Sequence, residues 1–101
     1  MVRPIAFIFT SKGASPDVHR AVLETEQHRL DVRGVSSVDE GCKVAKQLVD
    51  EGCKLIELCG GFGPEGTRKV IEAIGGKVPV GYIDWFPEEL EKRAQLNRTS
   101  G

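Results

Sequence analysis

Four short apolar segments alternate along the chain with segments of helical periodicity. Residues 5–9 and 53–59 are apolar at nearly every position, which is typical of strands covered on both faces. Residues 30–35 alternate apolar with charged side chains, as in a strand with one solvated face. The fourth segment, residues 78–83, contains Pro79, which has no amide to donate to a neighbouring strand. The pattern therefore predicts two central strands and two edge strands.

A helix is predicted after each of these strands. Ser15–Pro16 is a favourable start for the first helix, because serine caps and proline suits the first helical position. Ser37 and Glu40 have the spacing of a capping box for the second helix, which Gly52 would end. The remaining two helices are predicted over residues 64–74 and 88–95.

Strands alternating with helices predict a parallel sheet with right-handed crossovers, in one α/β domain over residues 1–101 with a frayed tail at 96–101. The first and third strands are apolar on both faces, so we place them in the middle of the sheet. This gives a four-stranded βαβαβαβα sheet of order 2-1-3-4, a short flavodoxin-like fold. The alternative order 1-2-3-4, half of a (βα)8 barrel, would leave residues 5–9 at an edge that needs a second subunit to cover it.

The charge balance argues against several classes of partner. The 101 residues carry 14 Lys and Arg against 15 Asp and Glu, a net charge of −1, so neither nucleic acid nor a membrane surface is an expected partner. Cys42, Cys53 and Cys59 are odd in number and form no C-x-x-C pair, which argues against disulfides and a zinc site. We therefore expect a cytoplasmic protein without a metal or other cofactor.

A ligand site is predicted where the strand order reverses, at the carboxyl ends of the first and third strands. The loop at 10–13 supplies hydroxyls and a cation, and the glycine-rich loop at 60–66 opens a helix whose free amides attract anions. We expect a small anionic ligand there. The candidate binding residues are Thr10, Ser11, Lys12, Gly60, Gly61, Phe62, Gly63, Gly66, Thr67, Asp84 and Trp85.

The glycine loop also permits a nucleotide hypothesis. Residues 61–66 fit G-x-G-x-x-G between a strand and a helix, and Asp84 follows at the end of the next strand. Pro64 removes an amide donor, however, and Glu65 would repel a phosphate. A nucleotide-dependent enzyme is therefore an alternative function, and a tight turn that needs glycine for its backbone is the purely structural explanation.

Three residues are weak catalytic candidates. Glu57 interrupts an apolar strand, so it would be either a buried ion-pair partner or an acid or base in a pocket. Cys59 ends the same strand, and His19 is a candidate base for it. No complete catalytic constellation is visible, so the sequence leaves open whether the protein is an enzyme.

Association with a second copy is a further expectation. Trp85 and Phe86 are consecutive aromatic residues in a strand-to-helix loop, and a small sheet has two open edges. We therefore expect a homodimer or homo-oligomer. A non-catalytic homo-oligomeric interaction module is the second alternative function.

Three runs carry a resemblance to a known family. They are HRAVLETE at 19–26, LIELCGGFGPEG at 55–66 and KVPVGY at 77–82. Together they resemble a family of short bacterial proteins of about this length, known only as a domain of unknown function. The resemblance implies a stand-alone small α/β domain, and it implies no activity, substrate or catalytic residue.

Overall fold

The computed structural model describes residues 2–99 and contains one five-stranded sheet with three α-helices. The strands are β1 (Arg3–Thr10), β2 (Arg20–Glu24), β3 (His28–Val35), β4 (Ile56–Leu58) and β5 (Val80–Tyr82). The helices are α1 (Val38–Asp50), α2 (Gly63–Ala73) and α3 (Pro87–Thr99), with a 3-10 turn at Gly60–Phe62 directly before α2. Of the tail predicted at 96–101, residues 96–99 belong to α3, and residues 100 and 101 lie outside the described residues.

The sheet is mixed, so the predicted fold class is wrong. The strand order is β2-β3-β1-β4-β5, with β2 antiparallel to β3 and every other pair parallel. Neither a four-stranded all-parallel flavodoxin-like sheet nor half of a (βα)8 barrel describes this arrangement. The structure does place β1 between β3 and β4, so the segments that follow β1 and β4 are neighbours at one end of the sheet.

The error lies in residues 15–27, where the predicted first helix is replaced by a turn and a β-hairpin. The backbone carbonyl of Ser15 accepts hydrogen bonds from the amides of residues 18 and 19, so the chain forms only a turn where the helix was predicted to start. Thr25 then closes the hairpin: its backbone amide donates to the carbonyl of His28, and its hydroxyl accepts from the amide of His28 at 3.0 Å. Local turn chemistry of this kind competes with helix formation.

The start of α1 follows the sequence prediction. The Ser37 hydroxyl accepts from the backbone amide of Glu40 at 3.1 Å. The Glu40 carboxylate reaches back to the amide of Ser36 at 2.8 Å, one residue earlier than the usual capping box. Two amides at the helix start are thereby satisfied, which fixes the direction in which α1 leaves the sheet.

The core lies between one face of the sheet and helices α1 and α2. Both helices follow crossovers that run in the same direction across the sheet, and right-handed connections then place them on the same face. The buried apolar side chains of this layer include Ala6, Ile8, Val35, Leu48, Ile56, Leu58, Phe62, Val70 and Ile74.

The charged side chains of β3 face the helices rather than solvent. Asp31 is 4% exposed and Arg33 2%. The Asp31 carboxylate accepts from Arg33 Nε at 2.8 Å and from Arg20 of the adjacent strand at 2.9 and 3.2 Å. Asp31 and Arg33 form a buried ion pair at the border of the core, and Arg20, whose side chain is 37% exposed, joins it from β2. The expectation that the charged side of this strand is solvated is therefore wrong.

Candidate functional site

The carboxyl ends of β1 and β4 meet at Thr10 and Cys59. The amide of Cys59 donates to the carbonyl of Ile8 at 3.0 Å, which extends the strand pairing to the last residue before the glycine loop. The backbone amide of Thr10 donates to Cys59 Sγ at 3.3 Å, and Thr10 Oγ1 lies 3.5 Å from the same sulfur. Neighbouring strands thus deliver a hydroxyl, an amide and a thiol to one point.

The chain after Cys59 adds further donors to the sulfur. Cys59 precedes the 3-10 turn, in which the amide of Phe62 donates to the Cys59 carbonyl at 3.1 Å, and the backbone amides of Gly61 and Phe62 also lower the pKa of the thiol. Burial raises the pKa of Cys59, but the bonds from Thr10 and from these two amides outweigh it, so the pKa lies below its ordinary value. A half-buried thiol with this donor set favours the nucleophilic thiolate form.

Cys42 and Cys53 provide an internal comparison. Burial raises the pKa of each thiol above its ordinary value, and the charge of Asp39 adds to the effect at Cys42. The Cys53 thiol donates to the carbonyl of Leu55 at 3.2 Å, and burial outweighs the backbone hydrogen bonds from Leu55 and Lys54, which lower the pKa of this thiol. Cys59 is therefore the one cysteine of the three whose surroundings favour the anion.

The first glycines of the loop allow the chain to approach Thr10. A Cβ atom at Gly61 would lie 2.3 Å from Thr10 Oγ1, much closer than any ordinary contact. A Cβ at Gly60 would meet the carbonyl of Ile83 at 3.4 Å and Trp85 Nε1 at 3.6 Å, both ordinary contacts. Gly61 is thus required for the Thr10–Cys59 contact, whereas Gly60 marks where the Trp85 indole approaches the loop.

Trp85 forms one wall beside the loop. It lies after β5, is partly exposed, and carries the Arg93 guanidinium 5.8 Å from the centroid of its ring. Asp84 accepts from the backbone amide of Trp85 at 2.8 Å. That bond occupies one oxygen of the carboxylate on which the nucleotide hypothesis depends.

Several other candidate residues lie away from the sulfur or serve the core. Phe62 is buried, Gly66 packs against Phe62 and Val38, and the Thr67 hydroxyl donates to the carbonyl of Gly63 at 2.7 Å. Gly63 has a φ of 61°, which lets the 3-10 turn pass into α2. Ser11 and Lys12 are exposed on the loop after β1, at the rim of the site.

The structure does not bring the other catalytic candidates to the sulfur. His19 precedes β2, so its backbone is three strand spacings from β4, roughly 14 Å. Its Nδ1 accepts from the amide of Ser15 at 2.9 Å. Glu57 is exposed rather than buried, because no helix among the described residues packs on its face of β4.

The central contact was missed in the sequence, although a signal for it exists. Thr10 and Cys59 each stand at the carboxyl end of a strand, and the predicted adjacency of those strands would have brought them together. Burial alone would raise the pKa of the Cys59 thiol. The backbone amides that help to lower this pKa could be identified only from the path of the chain over residues 59–62.

Two features are absent from the part of the chain that the structure describes. No group of three or more His, Cys, Asp or Glu side chains there is arranged to hold a metal ion. Over residues 2–99, no helix has the length and apolar character needed to cross a membrane.

Comparison with known proteins identifies a family but no activity. A family model described as Family of unknown function (DUF6506) matches residues 3–98, so the chain belongs to this family. The match confirms the family resemblance and extends it beyond Tyr82, while it does not bear on a bacterial origin. A search of curated proteins finds none that matches the chain.

Proposed function

We propose that this member of the DUF6506 family is a small-molecule-binding domain whose site lies at the carboxyl ends of β1 and β4. The observation that supports the proposal is the contact of the Thr10 amide and hydroxyl with Cys59 Sγ, next to the backbone amides of Gly61 and Phe62, which help to lower the pKa of this thiol. At Cys53, burial outweighs two backbone hydrogen bonds, and at Cys42 burial also dominates, so the pKa of each thiol lies above its ordinary value, unlike that of Cys59.

The donor arrangement also narrows the chemical class of the ligand. The loop amides expected to hold an external anion instead lower the pKa of the Cys59 thiol. A thiolate held in this way attracts an electrophilic carbon, and the exposed Lys12 supplies positive charge at the rim. We therefore propose a small ligand that carries both a carbonyl and an anionic group.

The proposal concerns binding and not turnover. No histidine or carboxylate side chain among the described residues forms a hydrogen bond to Cys59, so a general base of the usual kind is missing from the site. A reducing cytoplasm, where we propose the protein resides, would keep the thiol available.

Thiol reactivity gives the first test. The alkylation rate of each cysteine is measured against pH by mass spectrometry of the peptides. We expect Cys59 to react at a lower pH than Cys42 and Cys53. Thr10→Val should move the Cys59 midpoint to higher pH because it removes the hydroxyl, whereas Thr10→Ser should keep the wild-type midpoint. Equal reactivity of the three cysteines in wild type would refute the role of Cys59.

Ligand titration gives the second test. Glyoxylate, which has a carbonyl and a carboxylate, and inorganic phosphate are added while backbone amide chemical shifts are followed. Shifts at Gly61, Gly63 and Lys12 with glyoxylate support the proposal, and the absence of shifts with both probes contradicts it. Loss of the glyoxylate response in Cys59→Ser would assign the contact to the sulfur.

The same titration separates the alternative functions. A nucleotide-dependent enzyme using residues 61–66 would respond to NADH, although Glu65 in the first turn of α2 disfavours a phosphate there. A non-catalytic interaction module would respond to none of these probes.

A further inference from the structure

Strand β2 forms one edge of the sheet and is exposed along its whole length. It is the end strand of the order β2-β3-β1-β4-β5, and all five of its residues are exposed. Proteins often protect a free edge by means of a short strand, a proline or a lysine. The opposite edge has such protection, since β5 has three residues and directly follows Pro79. The sequence of β2, Arg20–Glu24, contains neither proline nor lysine, so its outer edge can accept another strand.

Two hydrogen bonds determine which backbone groups of β2 point away from β3. The amide of Gly34 donates to the carbonyl of His19, and the amide of Thr25 donates to the carbonyl of His28, both at 2.8 Å. In an antiparallel pair, residues that bond to the neighbouring strand alternate with residues that do not. Both bonds give the same phase, with the odd-numbered positions of β2 bonded to β3. The positions whose amides and carbonyls point outward are Arg20, Val22 and Glu24.

We propose that β2 pairs antiparallel with β2 of a second copy of this chain, centred on Val22, so that two sheets join edge to edge. In this register Val22 lies opposite Val22 of the partner subunit, and Arg20 lies opposite Glu24 of the partner subunit. All three outward positions then face one another, and each residue pair exchanges two main-chain hydrogen bonds. The contact is isologous, because each strand uses the same groups as its partner.

The charges of β2 favour this register over its alternatives. Arg20 and Glu24 lie two positions before and two positions after Val22, so a two-fold axis through Val22 places each beside the opposite charge. A slip by two residues leaves only two of the residue pairs and no pair of opposite charges. A slip by four residues places Arg20 opposite Arg20 or Glu24 opposite Glu24, and like charges directly opposite are destabilising.

The ion pairs beside the edge also favour a carboxylate from a second copy. Arg20 and Arg33 both donate to the one carboxylate of Asp31, so these three side chains carry a net charge of +1. Glu24 is largely exposed and lies 3.6 Å from Arg29 of its own chain. Glu24 of the partner subunit would stand directly opposite Arg20, where its negative charge offsets the excess positive charge.

A second copy fits this edge better than an unrelated strand does. A strand that binds antiparallel must carry an acidic and a basic residue four positions apart in the right order, and β2 itself meets that requirement. One strand on each partner is a contact at the low end of specific interfaces, so we expect a dissociation constant on the order of 10–100 μM. The pairing leaves the Cys59 site open, because β2 is three strands away from β4.

Solvent exchange of the backbone amides, measured by NMR at two protein concentrations, tests the pairing residue by residue. The outward amides of Arg20, Val22 and Glu24 should exchange about threefold more slowly at about 500 μM protein than at about 20 μM, as the dimer fraction rises. The amides of Ala21 and Leu23, which bond to β3, should be slow at both concentrations. A dimer whose outward amides exchange equally fast at both concentrations would overturn the proposal.

A matched pair of variants tests the charges. Glu24→Lys places like charges opposite one another at both ends of the contact, whereas Glu72→Lys makes the same change at an exposed position of α2, which packs beside β5 at the far edge of the sheet. Sedimentation velocity should show a dissociation constant raised about tenfold or more in Glu24→Lys and changed less than about threefold in Glu72→Lys. Circular dichroism confirms that both variants fold.

Two outcomes of the sedimentation experiment would contradict the pairing. A wild-type protein that remains monomeric at about 500 μM lies outside the affinity expected for the contact and would overturn the proposal. Equal weakening by Glu24→Lys and Glu72→Lys would also overturn it, since association would then depend on the net charge of the chain and not on β2.

Discussion

Removing the carboxylate of Asp31 is the sharpest test of how this fold tolerates buried charge. Asp31 is the partner of both Arg33, whose side chain is 3% exposed, and Arg20, with nitrogen–oxygen distances of 2.8 and 2.9 Å. In Asp31→Ala, the Arg33 guanidinium would remain in the core border without its counter-ion. Breaking a buried pair in this way costs about 3–5 kcal/mol. Domains of this size have total stabilities of about 5–15 kcal/mol, so the loss would be a large fraction of the whole.

Urea unfolding followed by circular dichroism measures this loss. With a slope of about 1–1.5 kcal/mol per molar urea, the midpoint should fall by about 2–5 M. Glu24→Ala is the control, because it removes an exposed pair at 3.6 Å to Arg29 and should cost less than about 1 kcal/mol. The double variant Asp31→Leu/Arg33→Leu should recover most of the stability, since it leaves no unpaired buried charge from this pair. A loss below 1 kcal/mol in Asp31→Ala, or a double variant as unstable as the single one, would refute the reasoning.

Two further predictions follow from the same structure. Burial raises the pKa of Asp31, but hydrogen bonds and charges from Arg33 and Arg20 outweigh it and hold the pKa below its ordinary value. The stabilisation should therefore be complete above the unfolded-state value of about 3.9 and be lost as the pH falls through the folded-state pKa, so Asp31→Asn should flatten the profile of unfolding free energy below about pH 4. At the candidate site, Gly61→Ala should displace the Thr10 hydroxyl and slow Cys59 alkylation at neutral pH, whereas Gly60→Ala, which meets only ordinary contacts, should leave the rate within about twofold. A Gly61→Ala protein that reacts like wild type would show that the Thr10 contact does not activate the sulfur.

The elements that could be predicted are those whose signals are local. Ser37 and Glu40 mark the start of α1 because the capping groups lie within four residues of one another. The apolar run of residues 5–9 lies within β1, and Pro79 stands just before the short edge strand β5. The loop at 60–66 was recognised as a place where a strand passes into a helix, because glycine and proline signal such a turn over a few residues.

The elements that could not be predicted depend on partners distant in sequence. Residues 20–24 have a helix-like pattern, but the pairing with β3, the ion pair from Arg20 to Asp31 and the turn at Thr25 stabilise a strand. Glu57 looked enclosed because its strand is apolar. It is exposed because the helix expected to cover it is missing, which is a property of the chain path and not of β4.

By itself, the sequence determined the positions of most strands and helices and the balance of charge, since these follow from periodicity and capping over a few neighbouring residues. Only the tertiary structure decided that the sheet is mixed, that one face has no helical layer, and that the amide and hydroxyl of Thr10 meet the sulfur of Cys59. The physical reason is that strand pairing, burial and the pKa of a thiol are set by groups far apart in the chain, such as the amide of Cys59 and the carbonyl of Ile8, whose relative positions no local pattern records.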